Sequence, residues 1–411
     1  MTALRQLPPT WLMGLGFLPQ GVNGAILLVT VPQLLAANHV PEIHIATITA
    51  TGLLPNVGSF ILGPLLDWRF TRRAYAIVLT IVGALCTFGA LLAIDDLPLL
   101  TLLLFVANLA ISMTIASVGG WFGNVVDAER QGRLSAWLTA ANAGTFGLTA
   151  AAAMHLLRGL PYVLGAGILS GFILLAVPLF WVVYCPPADR GLAREGFRRF
   201  VIDVLAVLKN PSVQWSLVLF MLPVSSFALT NTLGAFGRDF GTSEHMVGLL
   251  GGAGASIMGV AGSLLIPRFE RLASPRSLYL LVGASGAMFT LSLVTLPHNM
   301  ITFGTATLGE NLFQGAALSL QNLIILRTIG RDNPLAATQF GLLTAATFLP
   351  LTYMQMADGA AYHLWNGVNA SYVVDALVSG SFCLLLGAVW TLYACKNAGR
   401  RAGSRAGPGT A

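Results

Sequence analysis

The stretch Trp11-Leu-Met-Gly-Leu15-Gly-Phe-Leu18-Pro19 returns as Trp215-Ser-Leu-Val-Leu219-Phe-Met-Leu222-Pro223, with Trp, two Leu and Pro each shifted by 204 positions. A second echo supports the first. Gly58 and Ser59 precede Asp67 and Arg73, as Gly262 and Ser263 precede Glu270 and Arg276, the last two pairs at a shift of 203. Trp is common at membrane interfaces and Pro in membrane helices, so one match would be coincidence. Two matches at nearly one offset argue for a duplicated unit.

The duplicated unit spans a membrane. Charged residues make up 9% of the 411 positions and hydrophobic ones 55%, whereas a soluble globule carries about 25% charged residues. The apolar residues fall in twelve long runs that match the thickness of a bilayer, about 20 residues each. They read Trp11 to Ala37, His44 to Leu66, Ala74 to Ala93, Pro98 to Gly123, Leu134 to Leu157 and Pro161 to Tyr184. The second set reads Val213 to Phe236, Met246 to Ile266, Ser277 to Leu296, Met300 to Leu326, Leu335 to Ala357 and Ser371 to Cys395. The expected fold is therefore an all-α membrane protein, with twelve transmembrane helices as two six-helix pseudo-symmetric halves.

Four segments follow: an N-terminal half over 1–184, a cytoplasmic linker over 185–212, a C-terminal half over 213–395 and a disordered basic tail over 396–411. In the linker, Phe197, Phe200, Val201, Val204, Leu205 and Leu208 recur at helical spacing near Arg194, Arg198 and Arg199. That pattern predicts an amphipathic helix on the lipid surface, joining the halves. With Met1 inside, 20 of the 22 Lys and Arg residues fall in inner loops and tails, leaving Arg158 and Arg238 outside. Positive loops stay cytoplasmic, so both termini are expected there. The net charge of +6 is then a topology signal, and nucleic acid is not expected as a partner. The first run is too long for a signal peptide and should remain as helix one. Cys86 and Cys383 stand in separate spans and Cys185 and Cys395 at helix ends, without disulfide or metal spacing. No cofactor or metal site is expected, and no catalytic constellation lies at membrane depth, so the chain does not read as an enzyme.

Two regions carry mechanism. The loop after helix two reads Gly63-Pro-Leu-Leu-Asp67-Trp68-Arg69-Phe70-Thr-Arg72-Arg73. A carboxylate at a helix end beside arginines can bond a neighbouring helix in one conformation and release it in another, which is a gate latch. Gly63, Asp67, Arg72 and Arg73, with Glu270 and Arg276 in the second copy, are the gating candidates. Helix ten reads Gly309-Glu310-Asn311-Leu-Phe-Gln314-Gly315, continuing to Gln321-Asn322. A carboxylate inside a membrane run is costly and rarely idle. Burial favours its neutral form, so Glu310 is the candidate for proton coupling.

At 100° per residue, Glu310, Gln314, Ala317 and Gln321 share one polar stripe, within roughly 60° of each other. Solute-binding candidates are Asn311, Gln314 and Gln321 on helix ten, Gln20 and Asn23 on helix one, Asn56 on helix two, and Ser226, Thr230 and Asn231 on helix seven. Isolated amides and hydroxyls in membranes more often join helices than bind ligands, which weighs against each singly. Asp375, in the outer quarter of helix twelve, is expected within reach of water and ranks below Glu310. The six histidines, His39, His44, His155, His245, His298 and His363, fall at outer ends or loops, as interfacial placement explains.

Parallel six-helix halves and the Asp67 loop resemble the major facilitator superfamily, with Trp68 and Phe70 standing where its loop carries arginine and glycine. Within it, Glu310-Asn311 with Gly315, then Ala336-Ala337-Thr338-Gln339-Phe340 with Leu342-Leu343, resembles the muropeptide permeases of the AmpG type and related siderophore permeases. Gly16-Phe17, Gly63 to Asp67 and Glu129-Arg130-x-Gly132 extend the similarity over most of the chain. The resemblance implies a secondary transporter of a bacterial inner membrane, with the lipid bilayer, a small-molecule solute and protons as partners.

The departures bear on the solute. Ile115, Gly119 and Asn124 stand where the muropeptide permeases carry acidic residues, and Pro223 to Ser226 where they carry a charged pair. A cavity without Lys or Arg suits neither a polyphosphate nor a multiply carboxylated muropeptide. The expectation is proton-driven import of a bulky, weakly charged solute such as an iron siderophore. Muropeptide import is the alternative within the class, and a non-transporting membrane ligand sensor the alternative outside it.

Overall fold

The computed structural model describes residues 7–186, 202, 205–365 and 367–405, with backbone alone for 392–405. The described residues form helices and turns, without strands. Twelve helical segments follow in order: α1 Thr10–Ala37, α2 Glu42–Asp67, α3 Arg72–Leu92, α4 Leu97–Val125, α5 Ala128–Gly159 and α6 Tyr162–Val182. The second half holds α7 over 211–240, α8 Glu244–Phe269, α9 Pro275–Leu293, α10 Met300–Ile329, α11 Ala336–Leu364 and α12 Val368–Arg405. Nine of these are long and apolar enough to cross a membrane by length and composition. Among the other three, α5 opens on the polar run Ala128-Glu129-Arg130-Gln131 and α7 is interrupted.

Short polar side chains start many of the helices, because the first turn of a helix has backbone N–H groups without intrahelical acceptors. Thr71, Asp96, Ser243, Ser274 and Asn299 each accept an N–H two or three residues into the helix that follows. These caps fix where the loops turn. The outer surface carries large apolar side chains such as Ile61, Leu85, Leu148, Met288 and Leu384, as a lipid-facing surface requires. The halves meet along a seam in which α5 packs on α8 and α10, and α11 packs on α2 and α4. The end of the seam bearing the 2–3, 4–5, 8–9 and 10–11 loops is called the basic face below.

Two expectations need correction. Helix seven is not continuous: Pro211–Met221 is helical, the chain then unwinds, and tight turns resume over Ala228–Asn231 and Leu233–Phe240. Ser225 and Phe227 take positive φ of 56° and 47° there, a conformation that costs a residue with a Cβ and ends helical hydrogen bonding. The tail expected to be disordered from 396 is helical to Arg405, where α12 simply extends its backbone ladder. Most of the predicted linker helix and residues 406–411 lie outside the described residues.

Candidate functional site

The latch residues meet the other half directly. Asp67 ends α2, Trp68 is extended, and Arg69 at φ 71° turns the chain so that Arg72, in the first turn of α3, faces back. Asp67 Oδ1 accepts from Arg72 Nε at 2.8 Å and from the Ala337 N–H at 3.2 Å. Its Oδ2 accepts from the Thr338 N–H and the Thr338 hydroxyl, both at 2.8 Å. A carboxylate from one half thus caps the N-terminus of α11 in the other, where the helix dipole favours negative charge. Arg72 also donates to the carbonyls of Asn333 at 3.1 Å and Pro334 at 2.8 Å. Asn124 of α4 donates to Asn333 O at 2.9 Å, and Arg331 pairs with Asp127 across the same seam. Gly63 brings α2 against Thr338, and Gly120 of α4 touches the α11 backbone, where a Cβ would meet Ala337 N at 2.5 Å. The basic face is closed.

The other gating candidates sit differently. Arg73 donates to Val183 O at 2.6 Å and lies over the Trp121 ring, all within the first half. Arg276 binds Ser212 and Ser216 and lies over Trp390, within the second half. Both brace a half internally because their helices carry them away from the seam. Glu270 pairs with Arg327 of its own half, and its carboxylate packs on Gly132 of α5. Burial pushes the Glu270 carboxyl above its ordinary value, with the Arg327 guanidinium partly opposing that rise.

Between the halves, Gln20, Asn56, Ser59, Ser112 and Ile115 face Phe340, Gly341, Thr344 and Phe348 of α11 across a small cavity. Its water-sized space is about 20 Å³, room for about one water. No charged residue lines it. Gln20 and Asn56 are the predicted solute residues found there. Asn23 turns into the first half instead, donating to Asn108 Oδ1 at 3.1 Å and accepting from Thr87. Asn108 in turn donates to Asn56 Oδ1 at 3.1 Å, so this amide chain ties α1, α3, α4 and α2 together.

The break in α7 gathers several more. Gln314 donates to Thr230 Oγ1 at 2.7 Å, uniting two predicted residues, and Phe227 stacks on Phe313. The predicted stripe on α10 does not hold as one surface. Gln321 is buried and donates to the Tyr279 hydroxyl at 2.9 Å, which itself donates to Val224 O at 2.8 Å in the unwound segment. Asn311 bonds back to Thr307 O of its own helix. Ser226 Oγ is buried without a partner among the described residues, and Asn231 is exposed.

Glu310 is fully buried in the second half, away from the cavity just described. One oxygen accepts from the Thr290 hydroxyl of α9, and the other has no partner among the described residues. Two more buried carboxyls stand on the helices that follow: Asp358 of α11, which packs on both α10 and α12, and Asp375 of α12. Asp375 is 4% exposed, so the expectation that water reaches it fails, since neighbouring helices cover the outer end of α12. Asp358 was not a candidate, because the apolar run of helix eleven ends at Ala357 and the helix continues to Leu364. The signal for it was one more turn of helical register.

A family model described as the Major Facilitator Superfamily matches residues 13–351, and the chain belongs to that superfamily. It is a secondary-transporter fold throughout. The E. coli fucose:proton symporter is similar in structure with a TM-score of 0.69 at 11% identity, over 92% of this chain and 97% of that one. The human organic anion transporter MFSD10 reaches a TM-score of 0.69 at 16% identity, over 92% and 100%. A bacterial homologue of the iron transporter ferroportin reaches 0.63 at 17%, over 94% and 100%. Among curated proteins none matches the sequence.

Proposed function

We propose that this transporter sits in a bacterial inner membrane with its basic face toward the cytoplasm, and imports a bulky, weakly charged solute driven by protons through Glu310. Ferric siderophores are the class that best meets that description. The observation that carries the coupling is Glu310 itself: fully buried, bonded to Thr290 through one oxygen and, among the described residues, unpartnered at the other. Such a group stays in a membrane only if a proton neutralises it for part of the cycle. Gly63, Asp67 and Arg72 act as the latch of the cytoplasmic gate, and Gln20 and Asn56 with the α11 face receive the solute. The uncharged lining between Gln20 and Phe348 supports a weakly charged cargo over a muropeptide with several carboxylates. The Asp67 bridge between halves supports a carrier over a sensor, which needs no alternating gate.

Uptake of radiolabelled ferric siderophores into right-side-out vesicles tests this, with a muropeptide panel alongside. Accumulation should collapse with the pH gradient and in Glu310→Gln. Accumulation that survives both removes Glu310 from coupling, and accumulation of muropeptides alone reassigns the cargo.

A further inference from the structure

Among the described residues, seven of the buried polar atoms without a partner belong to one region: Thr307 Oγ1, Glu310 Oε2, both carboxyl oxygens of Asp358, the Tyr372 hydroxyl, Asp375 Oδ1 and Ser379 Oγ. They come from α10, α11 and α12, with Thr290 of α9 as the one side-chain donor on a carboxylate. Glu310, Asp358 and Tyr372 are each 0% exposed. Depth agrees with a cluster. Counting residues from the helix ends opposite the basic face, Asp358 and Asp375 lie about 10 Å in and Glu310 about 15 Å in, at about 1.5 Å per residue.

Among the described residues no ion pair reaches any of the three carboxyls. Three carboxylates within about 5 Å of one another in depth, without a counter-charge among the described residues, repel one another. No group of side chains there has metal-holding geometry among the described residues, and the cavity of the seam does not include them. Protons are then the cations that fit. The Tyr372 hydroxyl, buried on α12 three residues from Asp375 and without a partner among the described residues, is a further donor or acceptor there.

We propose that Glu310, Asp358 and Asp375 form one coupled proton-holding site inside the second half, enclosed by α9 to α12 and separate from the solute cavity. It rests on the coupling role given to Glu310 and enlarges it: protons enter by a route through the second half alone. Toward the face opposite the basic one, the titratable groups along that route are Asp239 and Tyr362, bonded to each other at 2.9 Å, and His298 and His363. From α9 the Thr290 hydroxyl donates to Glu310, and α12 also carries the buried Tyr372.

Infrared difference titration of the full chain in lipid nanodiscs reads protonated carboxyls without any solute. Wild type should show protonated-carboxyl bands that titrate together. Glu310→Gln, Asp358→Asn and Asp375→Asn should each remove one band and shift the midpoints of the remaining two by about one pH unit, the mark of interacting sites. Glu42→Gln, at an exposed carboxyl of the first half, should leave the bands in place. If Asp358→Asn does not fold, Asp358→Glu keeps the carboxyl and should move its band and those of its neighbours. Independent midpoints overturn the proposal, as does a titration unaltered by loss of Asp358. Bands abolished when sodium chloride replaces choline chloride overturn it in favour of a sodium site. Intact coupling with flux indifferent to the pH gradient would sink the transport role of Glu310 and leave the proton site standing.

Discussion

Asp67 of the first half holds Thr338 of the second through both its backbone N–H and its hydroxyl, so the helix that closes the basic face has its N-terminus capped by a residue from across the seam. Charge-assisted hydrogen bonds of this kind contribute about 1.5–3 kcal/mol each. Asp67→Asn keeps the shape and removes the charge. The closed state should lose about 10- to 100-fold in population against the open one, at about 1.4 kcal/mol per tenfold. Spin-label distances between positions 69 and 332, both exposed, report it. An unchanged distance distribution would show that the bridge does not hold the gate.

A second substitution should open the same face by steric means. A Cβ on Gly120 meets Ala337 N at 2.5 Å and the Ala337 Cα at 2.6 Å, all backbone, and overpacking of that sort costs about 1–3 kcal/mol. Gly120→Ala is therefore expected to lengthen the 69–332 distance as Asp67→Asn does. Gly171→Ala, with nothing within 4 Å, is the control and should leave both distance and Tm in place. Similar behaviour of the two glycines would mean that α4 and α11 separate without the contact mattering.

These two contacts also mark how far the sequence could be read. Twelve apolar runs announce twelve helices because membrane thickness sets their length, and the Trp11 and Trp215 echo exposes the duplication. Asp67 was legible as a residue poised at a helix end. Its acceptor role on α11 was not, because residues 67 and 338 are joined only by the packing of the halves. Periodicity told that Gln321 shares a side of α10 with Gln314, but the neighbour each one meets depends on packing, Thr230 of α7 taking Gln314 and Tyr279 of α9 taking Gln321. The unwinding of α7 uses Ser225 and Phe227 at positive φ where no glycine announces it. Asp358 escaped notice because hydropathy falls off one residue before it while the helix does not.

Glu270 gives a pH dependence outside the membrane span. Burial raises its carboxyl above the ordinary 4.5, against the pull of Arg327. A carboxyl that holds its proton more tightly when folded supplies stability that is full below the unfolded value and lost as pH rises through the folded one. The Tm of the wild type should thus fall from about 4.5 upward relative to Glu270→Gln, which cannot ionise. Melting curves across acid to neutral pH decide it. Parallel profiles for the two proteins would mean that Arg327 compensates the burial fully.

Tyr279 makes the last case, because its hydroxyl holds the unwound part of α7 and occupies Gln321 at once. It donates to Val224 O at 2.8 Å and accepts from Gln321 Nε2 at 2.9 Å, and it is 1% exposed. Tyr279→Phe leaves a buried carbonyl and a buried amide donor without partners, each costing about 1–3 kcal/mol. Tm should drop clearly. Gln321→Leu removes the orphaned donor, so the double variant should recover part of that loss, and a cycle of the four proteins measures the coupling. Coupling near zero would show that Gln321 does not depend on Tyr279, returning that amide to the solute-facing role its helical register first suggested. Strong coupling fixes it as the brace between α9 and α10 that keeps the break in α7 open.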